Sequence, residues 1–181
     1  MGIFSALFKH KDPQFSDRVW TTVRRKLEDL AGGVAASRAS GAAALVVFHL
    51  RDTGSAVAAA LESRGVPHVP ISDFAQILSP DSAAWREGNA ALLLSAGSIP
   101  MGVRTDEKRV PKDRRSPPLH VHTAEHHPMP ERDRDVLSLD RCWPMPTEFR
   151  CYTALEEPWM ARFCGEATRK IMGALGMDEN T

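Results

Sequence analysis

The stretch that decides the fold is residues 119–127, which read LHVHTAEHH, followed by residues 128–134, PMPERDR. Its alternation of apolar residues with histidine predicts a short buried strand that ends in a polar turn. The charged residues that follow predict a polar helix over residues 130–140. Four histidines and one glutamate lie within eight residues, so this segment also carries the densest group of reactive side chains.

Working outward, short apolar segments alternate with helical patterns along the chain. Strands are predicted over residues 43–48, 66–71, 90–95 and 119–123, with a strand or a turn at 152–155. Helices are predicted over residues 17–31, from 52 or 53 to 65, 82–86, 130–140 and 156–176. Residues 34–42 are predicted as a linker and residues 104–117 as a loop. This alternation predicts a three-layer α/β fold with a mainly parallel sheet and right-handed crossovers.

The predicted strand over residues 66–71 contains two prolines, which favours a position at the edge of the sheet. We expect residues 1–16 to form an N-terminal tail and residues 17–155 to form the α/β domain. Residues 156–181 are expected to form a long C-terminal helix packed on the same domain.

The amino-acid composition narrows the classes of partner that we expect the chain to bind. The 181 residues are 43% hydrophobic and 25% charged, with 23 basic and 23 acidic residues, which argues against nucleic-acid binding. Cys142, Cys151 and Cys164 form no CxxC pair, so we interpret them as reduced thiols of a cytoplasmic protein. No segment is long enough to span a bilayer, and residues 1–11 provide at most a peripheral membrane contact.

Several blocks of sequence resemble a known family. Residues 44–48 (ALVVF) and 61–68 (LESRGVPH) resemble the strand and the helix ending in G-[IV]-P-H that open the second nucleotide-binding, RecA-like domain of SecA. Residues 92–102 loosely resemble its glycine-rich turn, and residues 119–128 resemble its L-H-V-I-G-T-E-R-H-E block. Residues 152–163 and 172–177 resemble its Y-L-S-L-E-D-x-L-M-x-x-F and M-x-x-L-G-M blocks. SecA is the motor ATPase of bacterial preprotein translocation, and the resemblance covers residues 17–177.

The resemblance implies a RecA-like fold and a set of nucleotide-contacting remnants. These are Gly97, Gly102, Glu125, His127 and Arg134. At the three positions where the family has phosphate-contacting arginines, this chain has Leu137, Leu139 and Cys142. It also has no G-x-x-x-x-G-K-[ST] loop and no Walker B carboxylate.

We therefore expect a non-catalytic module that binds an unidentified protein partner, in an accessory or regulatory role related to preprotein translocation. No cofactor is expected, and ATP–magnesium would bind weakly at most, in trans with another chain.

The histidines also allow a metal interpretation. His120 and His122 alternate on the predicted strand, so both side chains lie on one face and can chelate one ion. Glu125, His126 or His127 on the following turn would complete the shell of a small metal-dependent enzyme, with zinc as the ion and His120, His122 and His127 as the predicted ligands. We favour the interpretation of these histidines as scaffold residues, because short motifs often match by chance.

Overall fold

The computed structural model of the chain describes residues 13–78, 85, 90–100 and 116–176. Several predicted features lie outside these residues: most of the N-terminal tail, the helix at 82–86 apart from Trp85, most of the loop at 104–117, Gly102 and residues 177–181.

Six parallel strands form one sheet in the order β1-β6-β5-β2-β4-β3. The strands are β1 (Phe15–Trp20), β2 (Ala43–Phe48), β3 (His68–Ile71), β4 (Ala91–Ser95), β5 (Leu119–Thr123) and β6 (Thr147–Ala154). The predicted strands at β2 and β5 are confirmed residue for residue, and the proline-containing β3 lies at a sheet edge as predicted.

Five α-helices accompany the sheet in the described part of the chain. They are α1 (Val23–Ala39), α2 (Arg51–Ser63), α3 (Pro130–Leu137), α4 (Leu139–Cys142) and α5 (Pro158–Ala174). Short 3-10 turns occupy Phe74–Ile77 and Ala96–Ser98. The predicted three-layer α/β fold with a parallel sheet is confirmed, and it is consistent with a RecA-like domain.

Strand β2 shows how the sheet supports two cores. Its four central residues are buried, and alternate side chains point to opposite faces. Leu45 and Val47 join a core that is covered by α3 and α4. Ala44 and Val46 join a second core that is covered by α1 and α2. The sheet is therefore packed between two helical layers.

The predicted helix at residues 17–31 is wrong at its start, because residues 15–20 form β1. This strand pairs with β6 in parallel register, with Asp17 opposite Cys151. The helix α1 begins after Thr22, whose Oγ1 accepts a hydrogen bond from the Arg25 N–H. It then continues to Ala39, so the predicted linker at residues 34–42 is largely helical as well. Pairing with a distant strand overrode the local helical spacing.

The segment predicted as strand or turn at residues 152–155 is the end of the longer strand β6. The segment predicted as a long C-terminal helix contains α5, but none of the described side chains of α5 is buried. Ile171 is 61% exposed, and Leu175 just beyond the helix is 72% exposed. The packing of this helix on the domain is therefore not confirmed, and the proposed domain boundaries stay a prediction. No helix in the described ranges has the length and apolar character needed to cross a bilayer.

Candidate functional site

The histidine-rich stretch is divided by the fold between the two faces of the sheet. His120 and His122 lie on β5 and share one face, as their alternation predicted, and this face lies toward α1. Ser37 Oγ on α1 lies 2.9 Å from His120 Nδ1 and 2.9 Å from His122 Nε2. The other ring nitrogen of His122 lies 3.0 Å from the hydroxyl of Tyr152. We call these four residues the Ser37 network: Ser37, His120, His122 and Tyr152.

One assignment of protons satisfies the whole Ser37 network. The Ser37 hydroxyl donates its single hydrogen to the Gly33 carbonyl, 3.0 Å away. Ser37 Oγ must then accept from both histidines, so His122 carries its proton on Nε2. His122 Nδ1 in turn accepts the Tyr152 hydroxyl hydrogen. Both nitrogens of a neutral His122 are therefore occupied.

Electrostatics agrees with a neutral His122. Burial lowers the pKa of His122 to about 3, and the nearby charges of Arg150 and Arg18 act in the same direction. Burial also lowers the pKa of His120. A Cβ on Gly33 would collide with the Tyr152 hydroxyl, so this glycine allows α1 to approach the network. The Ser37 network is closed, and it offers no free nitrogen of His122 to a metal.

Glu125, a predicted nucleotide-contacting residue, lies beyond the carboxyl end of β5 and is 2% exposed. Its Oε1 accepts hydrogen bonds from the N–H groups of His49, at 2.7 Å, and Leu50, at 3.0 Å. These N–H groups lead into α2, so the carboxylate ties β5 to the start of that helix. Its Oε2 has no hydrogen-bond partner among the described residues.

The other predicted remnants are dispersed. His127 Nδ1 accepts the Met129 N–H at 3.0 Å. The side chain of Arg134 is 74% exposed and lies 4.0 Å from Glu131. Gly97 lies in the 3-10 turn after β4. These contacts are local turn and helix contacts.

At the three positions where the resembled family has arginines, this chain has side chains that pack on an apolar core. Leu139 is 2% exposed within the core under α3 and α4. Leu137 and Cys142 pack against the same core. The segment therefore turns apolar side chains inward where the family would require guanidinium groups.

Sequence reasoning missed a buried ion pair at the start of α1. Lys26 is 2% exposed, pairs with Glu157 and donates to the Ala124 carbonyl at 2.8 Å. Glu157 also accepts the Ala154 N–H at 3.1 Å. Lys26 falls at helical spacing from Val23 and Leu30, and this position on the apolar face was the available signal. The pair ties α1 to the ends of β5 and β6.

The opposite face of the sheet carries a second polar cluster, centred on His126. His126 Nδ1 lies 2.7 Å from Asp133 Oδ2, and His126 Nε2 lies 3.1 Å from Asp17 Oδ1. Ligand atoms of Asp17, His126 and Cys151 all lie within 4.8 Å of one another. We call this group the Asp17 cluster: Asp17, His126, Asp133 and Cys151.

The Asp17 cluster favours a charged imidazole. The hydrogen bond to Asp133 raises the pKa of His126 to about 11, and the contact with Cys151 adds to this effect. Burial disfavours ionisation of Asp133, but hydrogen bonds from His126 and the His127 N–H, together with the proximity of His49, hold its pKa well below the usual range. Of these, His49 Nε2 is the distant one, 3.4 Å from Asp133 Oδ1. Burial raises the pKa of the Cys151 thiol.

The metal ligands predicted from sequence are not the ones that the structure brings together. Within the described ranges, the group of three ligand side chains that converges is Asp17, His126 and Cys151. His120 and His122 face α1, whereas His127 lies in the turn before α3 and its ring centroid is 5.0 Å from that of His49. Asp17 and Cys151 were missed as partners because they are far apart in sequence and meet through strand pairing.

The fold places the chain in the class of three-layer α/β proteins with a parallel sheet. A comparison with models of known protein families finds no match, and a comparison with curated proteins also finds none.

Proposed function

We propose that this chain is a non-catalytic, SecA-like module that binds a protein, with an accessory or regulatory role in preprotein translocation. The observation that carries the proposal is the packing of Leu137, Leu139 and Cys142 on the apolar core. Arginine fingers accelerate nucleotide hydrolysis by about 10³–10⁵-fold in other enzymes. Leucine and cysteine side chains packed on this core supply no positive charge to a phosphate.

The polar residues at the carboxyl edge of the sheet support the same proposal. Enzymes of this architecture usually bind ligands at that edge, with polar groups directed at the ligand. Here Glu125 Oε1 holds the backbone ahead of α2, and Lys26 is bound to Glu157 and Ala124. These side chains act as internal connections between strands and helices. A scaffold needs such connections, whereas a nucleotide site needs groups that face the ligand.

The exposed surface of α5 supports a protein partner. Ile171 and, just beyond the helix, Leu175 are large apolar side chains that are more exposed than buried. They follow one another at i, i+4, the spacing with which amphipathic helices bind apolar grooves. Charged residues lie elsewhere on the same helix, where Glu166 and Lys170 pair at 3.1 Å.

The absence of catalysis is tested with ATP and magnesium. We expect no phosphate release by the purified chain and no change in melting temperature at millimolar ATP–magnesium. A ligand that binds only the folded state must raise the melting temperature by mass action, so the second measurement detects binding without turnover. ATP hydrolysis by the chain alone, retained after further purification, would overturn the proposal.

The protein-binding role is tested by calorimetric titration of the chain into a purified, intact SecA motor. We expect saturable binding that Ile171→Glu weakens at least about tenfold, since a charge is buried at the contact. The matched control is Glu166→Gln, a change at another exposed position of the same helix, which should leave affinity unchanged. Failure to bind the motor would remove the role in translocation from the proposal. Equal effects of the two variants would remove α5 as the contact.

A further inference from the structure

The Asp17 cluster combines three kinds of metal-ligating atom at the edge of the sheet. A carboxylate comes from β1, a thiol from β6 and an imidazole from the turn after β5. The ligand atoms of Asp17, His126 and Cys151 lie within 4.8 Å of one another. In a tetrahedral zinc site, bonds of about 2.0–2.3 Å place neighbouring ligand atoms about 3.3–3.8 Å apart. Only a small contraction separates the observed arrangement from such a site.

We propose that Cys151, His126 and Asp17 bind a divalent transition-metal ion of the zinc type, with a fourth coordination position open to solvent. Of its three ligands, His126 was also considered for the histidine site in the sequence, whereas Asp17 and Cys151 were not. The site is independent of the proposed protein-binding role, because α5 contributes none of its residues.

The donor atoms decide the class of metal. Thiolate and imidazole ligands select zinc and its neighbours, whereas magnesium and calcium require oxygen ligands. The burial of Cys151, 0% exposed, gives the sulfur a sheltered position. The side chains of Asp17 and His126 are 57% and 26% exposed, so an ion can enter from the β1 side. An entry path and an open position are both features of a site that exchanges its metal or binds a further ligand.

Asp133 accepts a hydrogen bond from the ring nitrogen of His126 that would not bind the metal, and metal-binding histidines usually have such a partner. Its Oδ2 accepts from His126 Nδ1 at 2.7 Å, which leaves Nε2 as the nitrogen that faces Asp17. Its Oδ1 accepts the His127 N–H at 3.0 Å, which fixes the carboxylate itself. A carboxylate bonded in this way orients the imidazole and makes it a better donor. Asp133 is therefore a positioning residue.

Metal binding must displace two protons from the Asp17 cluster. In the metal-free protein, the Nε2 proton of His126 bridges to Asp17 and the Cys151 sulfur is a thiol. Coordination releases both protons to solvent, and the positive charge of the ion then neutralises Asp17 and the thiolate.

The buried Cys151 side chain makes nucleophilic catalysis the weaker alternative, because a substrate would have to reach a sulfur with no exposed surface.

Binding of the ion would cross-link β1, β6 and the turn after β5. Among the described strands, β1 lies at one edge of the sheet and pairs only with β6. A metal joining Asp17 to Cys151 and His126 would fasten this edge to the sheet. We therefore expect the metal to protect the amide hydrogens of β1 from exchange, while those of β3 at the other edge change little.

The experiment is a titration of the metal-free, reduced protein with cobalt(II), a spectroscopic substitute for zinc. The starting protein is the Cys142→Ser/Cys164→Ser double variant, in which Cys151 is the remaining thiol of the three in the sequence. We expect one equivalent of cobalt to bind, with a thiolate-to-metal absorption band that zinc abolishes by competition. Adding Cys151→Ser should remove that band.

Two further variants separate coordination from folding. Asp17→Asn changes a largely exposed residue, so the protein should fold normally while metal affinity falls at least about tenfold. Asp133→Asn should weaken affinity by about 10–100-fold and retain the sulfur band, as expected of a positioning residue. His120→Gln, in the Ser37 network, is the control and should leave affinity unchanged. Folded protein that binds no cobalt, or binds it equally well without Cys151, would overturn the proposal.

Discussion

The Ser37 network and the Asp17 cluster use the same residue type in opposite ways. His122 and His126 belong to one short stretch, yet they lie on opposite faces of the sheet. His122 lies between the Ser37 hydroxyl and the Tyr152 phenol, and burial lowers its pKa so that it is neutral. His126 lies between two carboxylates and is charged. The neighbours that the fold supplies, rather than the histidine itself, set the charge and the available chemistry.

The comparison predicts that the buried Ser37 network contributes more to stability than the exposed Asp17 carboxylate does in the metal-free protein. Tyr152→Ala removes a fully buried ring and should lower the free energy of unfolding by about 3–5 kcal/mol. Asp17→Ala should change it by less than about 0.5 kcal/mol in metal-free protein. Urea denaturation of both variants measures the difference. Equal losses would contradict the distinction between the two sites.

The two histidines should also respond oppositely to pH. The folded pKa of His122, about 3, lies below its unfolded value, so its contribution to stability is complete above about pH 6.5 and falls as the pH drops toward 3. The loss reaches about 1.4 kcal/mol per pH unit within that window. Arg150, Arg18, His120 and Tyr152 are the titratable groups that face this ring.

His126 has a folded pKa of about 11, so its stabilising contribution is complete below about pH 6.5 and declines as the pH rises toward 11. Imidazole nitrogen NMR measures both rings directly. We expect a neutral His122 at pH 5 and a charged His126 at pH 9. Titration of either ring near pH 6.5 would refute the assignment for that residue.

Removal of one hydroxyl tests the proton assignment in the Ser37 network. Tyr152→Phe leaves His122 Nδ1 buried without a donor and should lower the free energy of unfolding by about 1–3 kcal/mol. Because the ring is retained, the loss should be smaller than that of Tyr152→Ala. Denaturation curves for the two variants provide the measurement. An unchanged stability for Tyr152→Phe would mean that this hydrogen bond contributes nothing.

The Asp133 carboxylate of the Asp17 cluster should contribute less to stability than the Tyr152 hydroxyl does. Asp133→Asn removes the main stabiliser of the charged His126, so the pKa of His126 should fall toward its ordinary value. The free energy of unfolding at neutral pH should decrease by about 1 kcal/mol or less, because the cluster is partly exposed. NMR titration of the His126 ring in this variant checks the pKa. Glu131→Gln on the exposed side of α3 serves as the control.

The local sequence pattern was sufficient to predict the two central strands, β2 and β5. Residues 43–48 are a short apolar segment, and residues 119–123 alternate apolar residues with histidine. Such short segments fit a strand that is buried on both faces of a sheet better than they fit a helix. The same alternation correctly placed His120 and His122 on one face. Residues 15–20 show where local pattern fails, since Val19 and Trp20 extend the helical spacing of α1 but belong to a strand. Their hydrogen bonds come from β6, which lies far away in the sequence.

The sequence by itself determined the layered α/β class, because alternation and segment length are local properties of the chain. It also placed apolar residues at the three positions where the SecA resemblance expects arginines. Only the tertiary structure decided which histidines are neutral, which is charged, and that Asp17 meets Cys151 and His126. Those outcomes depend on distances and burial, and the parallel pairing of β1 with β6 brings together residues from opposite ends of the chain.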